Sequence, residues 1–541
     1  MTLHHTFDEI DAKYKHAITK RDPHQAEIAE TYSLVMPSKD FQNLSDNNPM
    51  KVIKKDIMDS TALKGVRNLK SQITNLLIPA SRPWQNIKWF DDVAEERLET
   101  LYGAKLEAAN KKVFLHFASG SFRSATSVSI DDWTIAGQAC VLTVDEPGTP
   151  IHYLPVPISE VVFLEDAEGN ITSVFRVHYL SRDQLIERFG KEKLPDDVVK
   201  KAKANNEKEW KLLESYVPIE NGYEYQVFIY DLEEEITNAT SLWNAFTIYR
   251  WERSIGNVWA ESITRNALPH IRAVNRMKED YLIGADFAAK GAFQTKNESM
   301  NTQGNKGKVV AGVLLLTREL IVPIEFPGNL AVNIDAIERE QAAIRDILLD
   351  FSLPQQTSEF RYIVAEAFIQ QRENFMSLIG EPSIALQQEF LLPMADQTVG
   401  RMIERGDIVI ASPEELVAAG YEAGTTLKDV IKVDVNAAVQ QITNINQATT
   451  DLRAWQMVAQ TLGPQVASRH VVTDNFAHDL FENLGFSPAN LRSLKQLAKL
   501  DKEAERDEEA LINLVGSALS SDPTARGLQQ ALETNVPTPG Q

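Results

Sequence analysis

This sequence predicts an α+β fold that is mainly helical, and three observations carry that reading. Apolar residues recur at helical spacing through 51–78 and again through 91–116. β-rich runs cluster between Gln138 and Trp251. Two long helical stretches then bracket a Gly-, Asn- and Lys-rich excursion at 291–328. The chain has 541 residues, which at ~150 residues per domain suggests three or four domain-sized units.

In chain order, Val52, Ile53, Ile57, Leu63, Val66, Leu69, Ile73, Leu76 and Leu77 give the first helix, which Pro79 and Pro83 stop. Trp84, Ile87 and Trp89 follow as a short extended segment. A second helix spans 91–116, with Leu98, Leu101, Leu106 and Val113 on one side. Its first turns hold Asp91, Asp92, Glu95 and Glu96, which suit the positive end of a helix dipole. The runs 161–164 and 172–179 flank Ala167-Glu168-Gly169-Asn170 as a hairpin, 183–214 reads as polar and helical, and 223–230 and 246–251 are further strands. Residues 1–264 therefore form one α+β unit.

Residues 267–290 read as a helix of 24 residues, ~36 Å long at 1.5 Å per residue. The excursion ends in two β runs, 308–316 and 320–326. A second long helix, 329–353, repeats Ile334, Ile337, Ile344, Leu348 and Phe351 at near-heptad spacing, with Gln341 in the missing seam position. Residues 354–360 are polar and turn-like. Helical periodicity resumes over 361–405, where Gly380, Pro382 and Pro393 should each break or kink the helix. From 436 the chain is helical again, with a helix end at Leu484-Gly485, a new start at Ser487-Pro488, and a mobile tail from about Ser520.

Charge and motifs narrow the function classes. Lys+Arg 55 against Asp+Glu 76 gives a net charge of −21, which argues against a protein that coats phosphates with clustered cations. The single cysteine, Cys140, excludes an intrachain disulfide and any multi-cysteine metal site. No secretory signal is visible, and the longest apolar run, 309–316, falls far short of the ~20 residues of a membrane span. Gly304-Asn305-Lys306-Gly307-Lys308-Val309 lacks phosphate-loop spacing and the following Ser or Thr, and no GxGxxG, GxSxG or HExxH occurs. Scattered histidines, with His470 and His478 eight apart, suit core or surface roles better than metal binding, and Asp145-Glu146 reads as solvated carboxylates. No catalytic, cofactor-binding or metal-ligating residues are assigned, and no cofactor is expected. Charge is unevenly placed: 265–310 carries eight basic residues (Arg265, Arg272, Arg276, Lys278, Lys290, Lys296, Lys306, Lys308) against four acidic ones, or +4, whereas 329–353 carries −3. Either the two helices pair electrostatically, within a chain or between subunits, or they form a wall whose basic end meets phosphate.

Several blocks together resemble the head-to-tail connector, or portal, proteins of short-tailed bacteriophages (podoviruses). Lys55-Asp56-Ile57-Met58-Asp59-Ser60-Thr61-Ala62 followed by Pro83-Trp84 is similar to the family's N-terminal helix and its exit. Arg250-Trp251, then Ala267-Leu268-Pro269-His270-Ile271 with Asn275, resembles the entry to its first long helix. Ile337-Glu338-Arg339-Glu340 with Ile344-Arg345 resembles its second, and Glu389-Phe390-Leu391-Leu392-Pro393 through Arg401 and Gly406 its kinked helix. The chain departs from the family at Asn257-Val258-Trp259-Ala260-Glu261-Ser262, where a Tyr-Gly stretch is usual, and at Ile363-Val364-Ala365-Glu366, a loose match to a Thr-rich helix start.

The resemblance implies a portal fold of wing, stem, clip and crown, assembling into a ring of twelve subunits around a channel for double-stranded DNA. It divides the chain into wing (1–264), stem helix 1 (265–290), clip (291–328), stem helix 2 (329–353), tunnel loop (354–364), kinked wing helix and return (365–435), and crown helices with the mobile tail (436–541). The implied partners are other copies of the chain, DNA, terminase, tail adaptors, and capsid and scaffolding proteins, without a membrane; the implied location is the capsid portal vertex of the virion, and the host cytoplasm during assembly. Lys290, Lys296, Lys306 and Lys308 are candidates for transient phosphate contact at the stem–clip end, and Gln355, Gln356, Ser358 and Arg361 in the tunnel loop. A different virion structural protein, such as a tail adaptor or capsid subunit, is the alternative; an enzyme is disfavoured because no motif supports one.

Overall fold

The computed structural model describes residues 4–37, 57–294, 322–350 and 375–435, less 80–82, 91, 147, 201–208, 255, 291, 325–329, 376, 419 and 423–424, plus isolated positions between 454 and 476. The chain divides into two compact units, Met1–Ala438 and Val439–Gln541, fewer than its length suggests. The first unit holds every element below.

It begins with a 29-residue helix, α1 (Phe7–Val35), opened by a capping box in which Thr6 and Glu9 satisfy each other's end groups. Helix α2 (Thr61–Leu77) starts later than the apolar spacing from Val52 predicted. Residues 57–60 are not helical, because their amides are claimed elsewhere: Asn275 Oδ1 accepts from Met58 N and Asp59 N at 3.0 and 3.1 Å, and the Asp59 carboxylate accepts from Thr61 N at 2.7 Å. The short strand β1 (Gln85–Trp89) follows, then α3 (Asp92–Ser119) and α4 (Phe122–Ala136). On α3, Leu98, Leu106 and Val113 are buried as expected, but Leu101 lies off that face and is 58% exposed.

Two antiparallel sheets follow. Strands β2 (Gln138–Val144) and β3 (His152–Val156) join β9 (Phe246–Arg250) in the order β3-β2-β9. Strands β4 (Val161–Glu165), β5 (Ile171–Ser181), β6 (Glu209–Ile219), β7 (Gly222–Ile229) and β8 (Glu234–Ser241) form a meander in sequence order. The β4–β5 hairpin turns where the sequence places it. There the Asp166 carboxylate accepts from Glu168 N and Asn170 N, and Gly169 takes φ +84°, which favours glycine. The helical reading of 183–214 holds only for its first part. Helices α5 (Arg182–Phe189) and α6 (Asp196–Lys200) lead into β6, whose side chains Trp210, Leu212 and Leu213 are buried in mid-sheet.

After a single turn, α7 (Ile263–Asn266), come the long helices α8 (Leu268–Lys290) and α9 (Leu330–Ile347), which pack on each other. The strands β10 (Ala292–Gln294) and β11 (Val322–Ile324) pair antiparallel beyond them. Of the expected β runs, 322–324 is a strand and 308–316 lies outside the described residues. Helix α9 ends short of residue 353. Leu349 adopts φ +54°, its N–H bonds Asp346 O and the Asp350 N–H bonds Arg345 O, a closing turn that usually uses glycine. Burial of Leu348 and Leu349 offsets the strain.

The kinked helix is described from residue 375. Gly380 and Pro382 fall at a helix start, where a missing amide or flexible backbone costs little, whereas Pro393 lies within a continuous helix, directly after a π turn. Helix α10 (Gly380–Leu386) runs through a π turn (Gln387–Leu391) into α11 (Leu392–Glu404). The Leu392 N–H reaches back to Gln387 O, the i−5 bond of a π turn, just before the amide-less Pro393. Two short helices, α12 (Pro413–Ala418) and α13 (Leu427–Val430), precede β12 (Ile431–Val435), which pairs with β1. The expected helices from 436 on, apart from isolated positions between 454 and 476, the helix end at Leu484-Gly485, the new start at Ser487-Pro488 and the tail lie outside the described residues.

Candidate functional site: the anchored helix pair

The long helices α8 and α9 pack on each other and carry the β10–β11 strand pair at one end, together forming one arm, and a polar hub fixes its root. Asp59, 7% exposed, accepts from Lys278 Nζ at 2.5 Å on α8, from Gln341 Nε2 at 2.6 Å on α9, and from Thr61 N. Burial alone would raise this carboxyl, but the Lys278 ammonium and the Thr61 and Gln341 hydrogen bonds outweigh it and hold it below its ordinary value. The polar interruption of the α9 seam at Gln341 thus has a partner. A second link between the helices is His270 Nδ1 to Glu340 Oε2 at 2.6 Å. Apolar contact supplies the rest: Ile271 and Val274 on α8, Ile337 and Ile344 on α9, and Leu348 just past its end are buried. Helix α2 approaches so closely that a Cβ on Gly65 would sit 2.7 Å from Leu348 Cδ1.

The basic residues of α7 and α8 are largely committed at this root. Arg265, 4% exposed, bonds Glu27 on α1 through Nε at 3.1 Å and also lies beside Glu261. Arg272 forks onto Glu30 of α1 at 2.6 and 2.8 Å. Lys278 is held by Asp59. The expected electrostatic pairing of the two long helices is therefore confined, among the described residues, to His270–Glu340; Arg265, Arg272 and Lys278 answer α1 and the 57–60 segment instead. Farther out, the exposed charged residues include Glu279, Asp280 and Asp286 on α8 and Asp335, Glu338 and Arg339 on α9, five acidic to one basic, with Arg339 paired to Asp335. The outer arm is acidic at its surface. It also exposes Leu282 (52%), Ile283 (62%) and Ile334 (42%), so Ile334, expected in the seam, is only partly covered.

Of the candidate DNA contacts, Lys290 is the last residue of α8. Lys296, Lys306, Lys308, Gln355, Gln356, Ser358 and Arg361 lie outside the described residues.

The remaining sequence blocks meet inside the sheet unit. Arg250, 1% exposed, bonds Glu389 of the π turn through Nη2 at 2.6 Å and its backbone N–H at 2.9 Å, and also bonds Glu165 and Gly169 O. Trp84 stacks on Phe122, which stacks on Phe390, while Trp251 packs on Trp133. Arg401 and Arg405 both bind Asp145, which is thus an ion-paired residue and not the solvated carboxylate expected. Beside the π turn lies a cleft of ≈ 400 Å³ lined in part by Trp243, Glu389, Asp396 and Gln397. Its carboxylates are engaged, Glu389 by Arg250 and Asp396, raised by burial, by Trp243 and the charge of Lys428. Among the described residues no three His, Cys, Asp or Glu side chains could hold a metal ion, and no helix is long and apolar enough to cross a membrane.

Comparison with known proteins gives one family. Residues 8–491 match the model described as bacteriophage head to tail connecting protein. Curated proteins give no match.

Proposed function

The chain belongs to the family of bacteriophage head to tail connecting proteins, and its role is that of a structural connector in the virion; we propose that it is the portal of a short-tailed phage. Copies, twelve by analogy with the family, close into a ring at one capsid vertex, and double-stranded DNA enters and leaves through the centre. In this reading 1–264 is wing, α8 and α9 (within 265–290 and 329–353) are stem, 291–328 is clip, 354–364 is tunnel loop, 365–435 is the kinked helix and return, and 436–541 is crown. Terminase docks on the assembly during packaging, and tail adaptors dock on the clip. Capsid and scaffolding proteins surround the ring, which is built in the host cytoplasm.

The observation that supports this most is the arm itself. It is fixed at its root by Asp59, Arg265 and Arg272, while its outer part is acidic and carries exposed Leu282, Ile283 and Ile334. A ring contact is heterologous, so each copy needs two different faces, and apolar residues on both α8 and α9 supply them. Acidic side chains toward a channel repel phosphate and let DNA slide. The strand pair β10–β11, three residues per strand, is too small to stand alone and offers its outer edges to neighbouring copies.

Negative-stain microscopy and mass measurement of the purified protein test the reading. Rings with a central channel are expected, and Leu282→Asp with Ile283→Asp should leave folded monomers. Monomers alone at high concentration, or lattices in place of rings, would defeat it.

A further inference from the structure

Away from the arm, α1 is fastened to the five-stranded sheet by an arrangement that the connector role does not explain. His4 and His5, just before the helix, both turn onto one carboxylate, Glu224 of β7, whose side chain is 5% exposed. His4 Nδ1 lies 2.8 Å from Oε1, and His5 Nδ1 lies 2.7 Å from Oε2. Lys13 Nζ approaches His5 Nε2 at 3.1 Å; because the ammonium donates there, His5 carries its hydrogen on Nδ1 and gives it to Glu224. His4 is placed differently. Its Nε2 lies 3.4 Å from Glu235 Oε2 of β8, so an imidazolium spans two carboxylates on adjacent strands. Asn238 Nδ2 sits within reach of both Glu224 Oε1 (3.0 Å) and His4 Nδ1 (2.6 Å).

We propose that His4 is the titrating bolt of a proton-dependent latch that holds the start of α1 on the sheet. Protonated, His4 donates from Nδ1 to Glu224 and from Nε2 to Glu235. Neutral with its hydrogen on Nε2, it becomes an acceptor at Nδ1, and the Asn238 amide turns from Glu224 to His4. Glu224 then loses two donors and keeps only those of His5. The groups facing the bolt are Glu224, Glu235 and Asn238 from the sheet, with Lys13 and Glu9 of α1 beside His5.

The sign follows from the shifts. Hydrogen bonding to Glu224 raises His4 above 6.5, so its contribution is fully present below 6.5 and is lost as pH rises through the raised value. Although burial alone would raise Glu224, the His5, His4 and Asn238 hydrogen bonds lower it from 4.5 to about 2, so its contribution is present above 4.5 and fades as pH falls toward 2. The latch is tightest between these limits and loosens on the alkaline side. Aromatic contacts just beyond it, Tyr14 on Phe175 at 6.3 Å and on Tyr230 at 6.2 Å, keep the rest of α1 seated, so loosening is confined to residues 4–13.

Hydrogen exchange read by mass spectrometry on the intact protein tests this, with labelling times corrected for intrinsic pH dependence. Opening of 4–13 should rise roughly two- to five-fold between pH 6 and 8.5, the range for an exposed ion pair, while 24–35 stays constant. His4→Gln, at a site 55% exposed, should fold normally and flatten that rise. Glu224→Gln should exchange fast at both pH values. A flat profile in the unaltered protein, or the same rise in His4→Gln, would overturn the proposal.

Discussion

Replacing Asp59 tests whether one carboxylate governs the root of the arm. Asp59→Ala removes the acceptor of three donors: the Lys278 ammonium at 2.5 Å, the Gln341 amide at 2.6 Å and the Thr61 N–H at 2.7 Å. A neutral hydrogen bond contributes about 1 kcal/mol and a charged one about 1.5–3 kcal/mol. Lys278 is 31% exposed and can turn to water, which places its loss at the low end. The net cost should be about 3 kcal/mol, or roughly a hundredfold in opening equilibrium. Asp59→Asn keeps an acceptor for Thr61 but loses the ion pair, and should cost about half as much. Hydrogen exchange of 61–77 and 330–347 reads this locally, without requiring the whole unit to unfold in one step. Because the Asp59 carboxyl is held below 3.8, its stabilisation is present above that pH and lost below it. Protection of α2 in the unaltered protein should therefore fall under pH 4, and Asp59→Asn should not show that fall. Exchange in Asp59→Ala within threefold of the unaltered protein would refute the hub, as would equal effects of Ala and Asn.

Glu389→Ala leaves the buried Arg250 guanidinium to Glu165 and Gly169 O and removes the acceptor of the Arg250 N–H, and should lower stability by about 2 kcal/mol in thermal melts; a melt within about 1 °C of the unaltered protein would refute this. Exchanging Lys290, Lys296, Lys306 and Lys308 for glutamate should leave rings intact and impair DNA retention or exit; wild-type packaging and infectivity in that variant would show that these lysines do not handle DNA.

Where local chemistry decided the structure, the sequence was readable. The Asp166–Asn170 turn, the strands at 161–165 and 246–250, and the helix–excursion–helix plan all follow from spacing and turn residues. Errors arose where a distant partner decided. The start of α2 depends on Asn275, more than 200 residues away, and the end of α9 depends on Leu349 taking a glycine-like conformation because burial holds it there. Strand β6 looked polar because Glu209, Lys211 and Glu214 interrupt it, yet Glu214 is buried beside Arg176 and Arg188. At the root of the arm, the blocks containing Asp59, Asn275 and Glu340 were visible, but their convergence was not. Charge counted along the chain suggested helices pairing with each other, because counting does not reveal that Glu27 and Glu30 of α1 take the arginines first.

The π turn at 387–391 sets an angular frame for everything after it. One residue more than an α turn advances the helix by ~100°, so α11 presents a different side from the one an unbroken α10 would have turned inward. That rotation sets the directions of Thr398 against Tyr153, Gly400 under the Trp243 ring, and Arg401 at Asp145. Losing a single residue between 387 and 391 would leave a respectable helix of almost unchanged length and composition. It would nevertheless swing all three groups out of phase with their partners. In this part of the molecule the count of residues, more than their identity, carries the information, and a one-residue gap there is a change of frame.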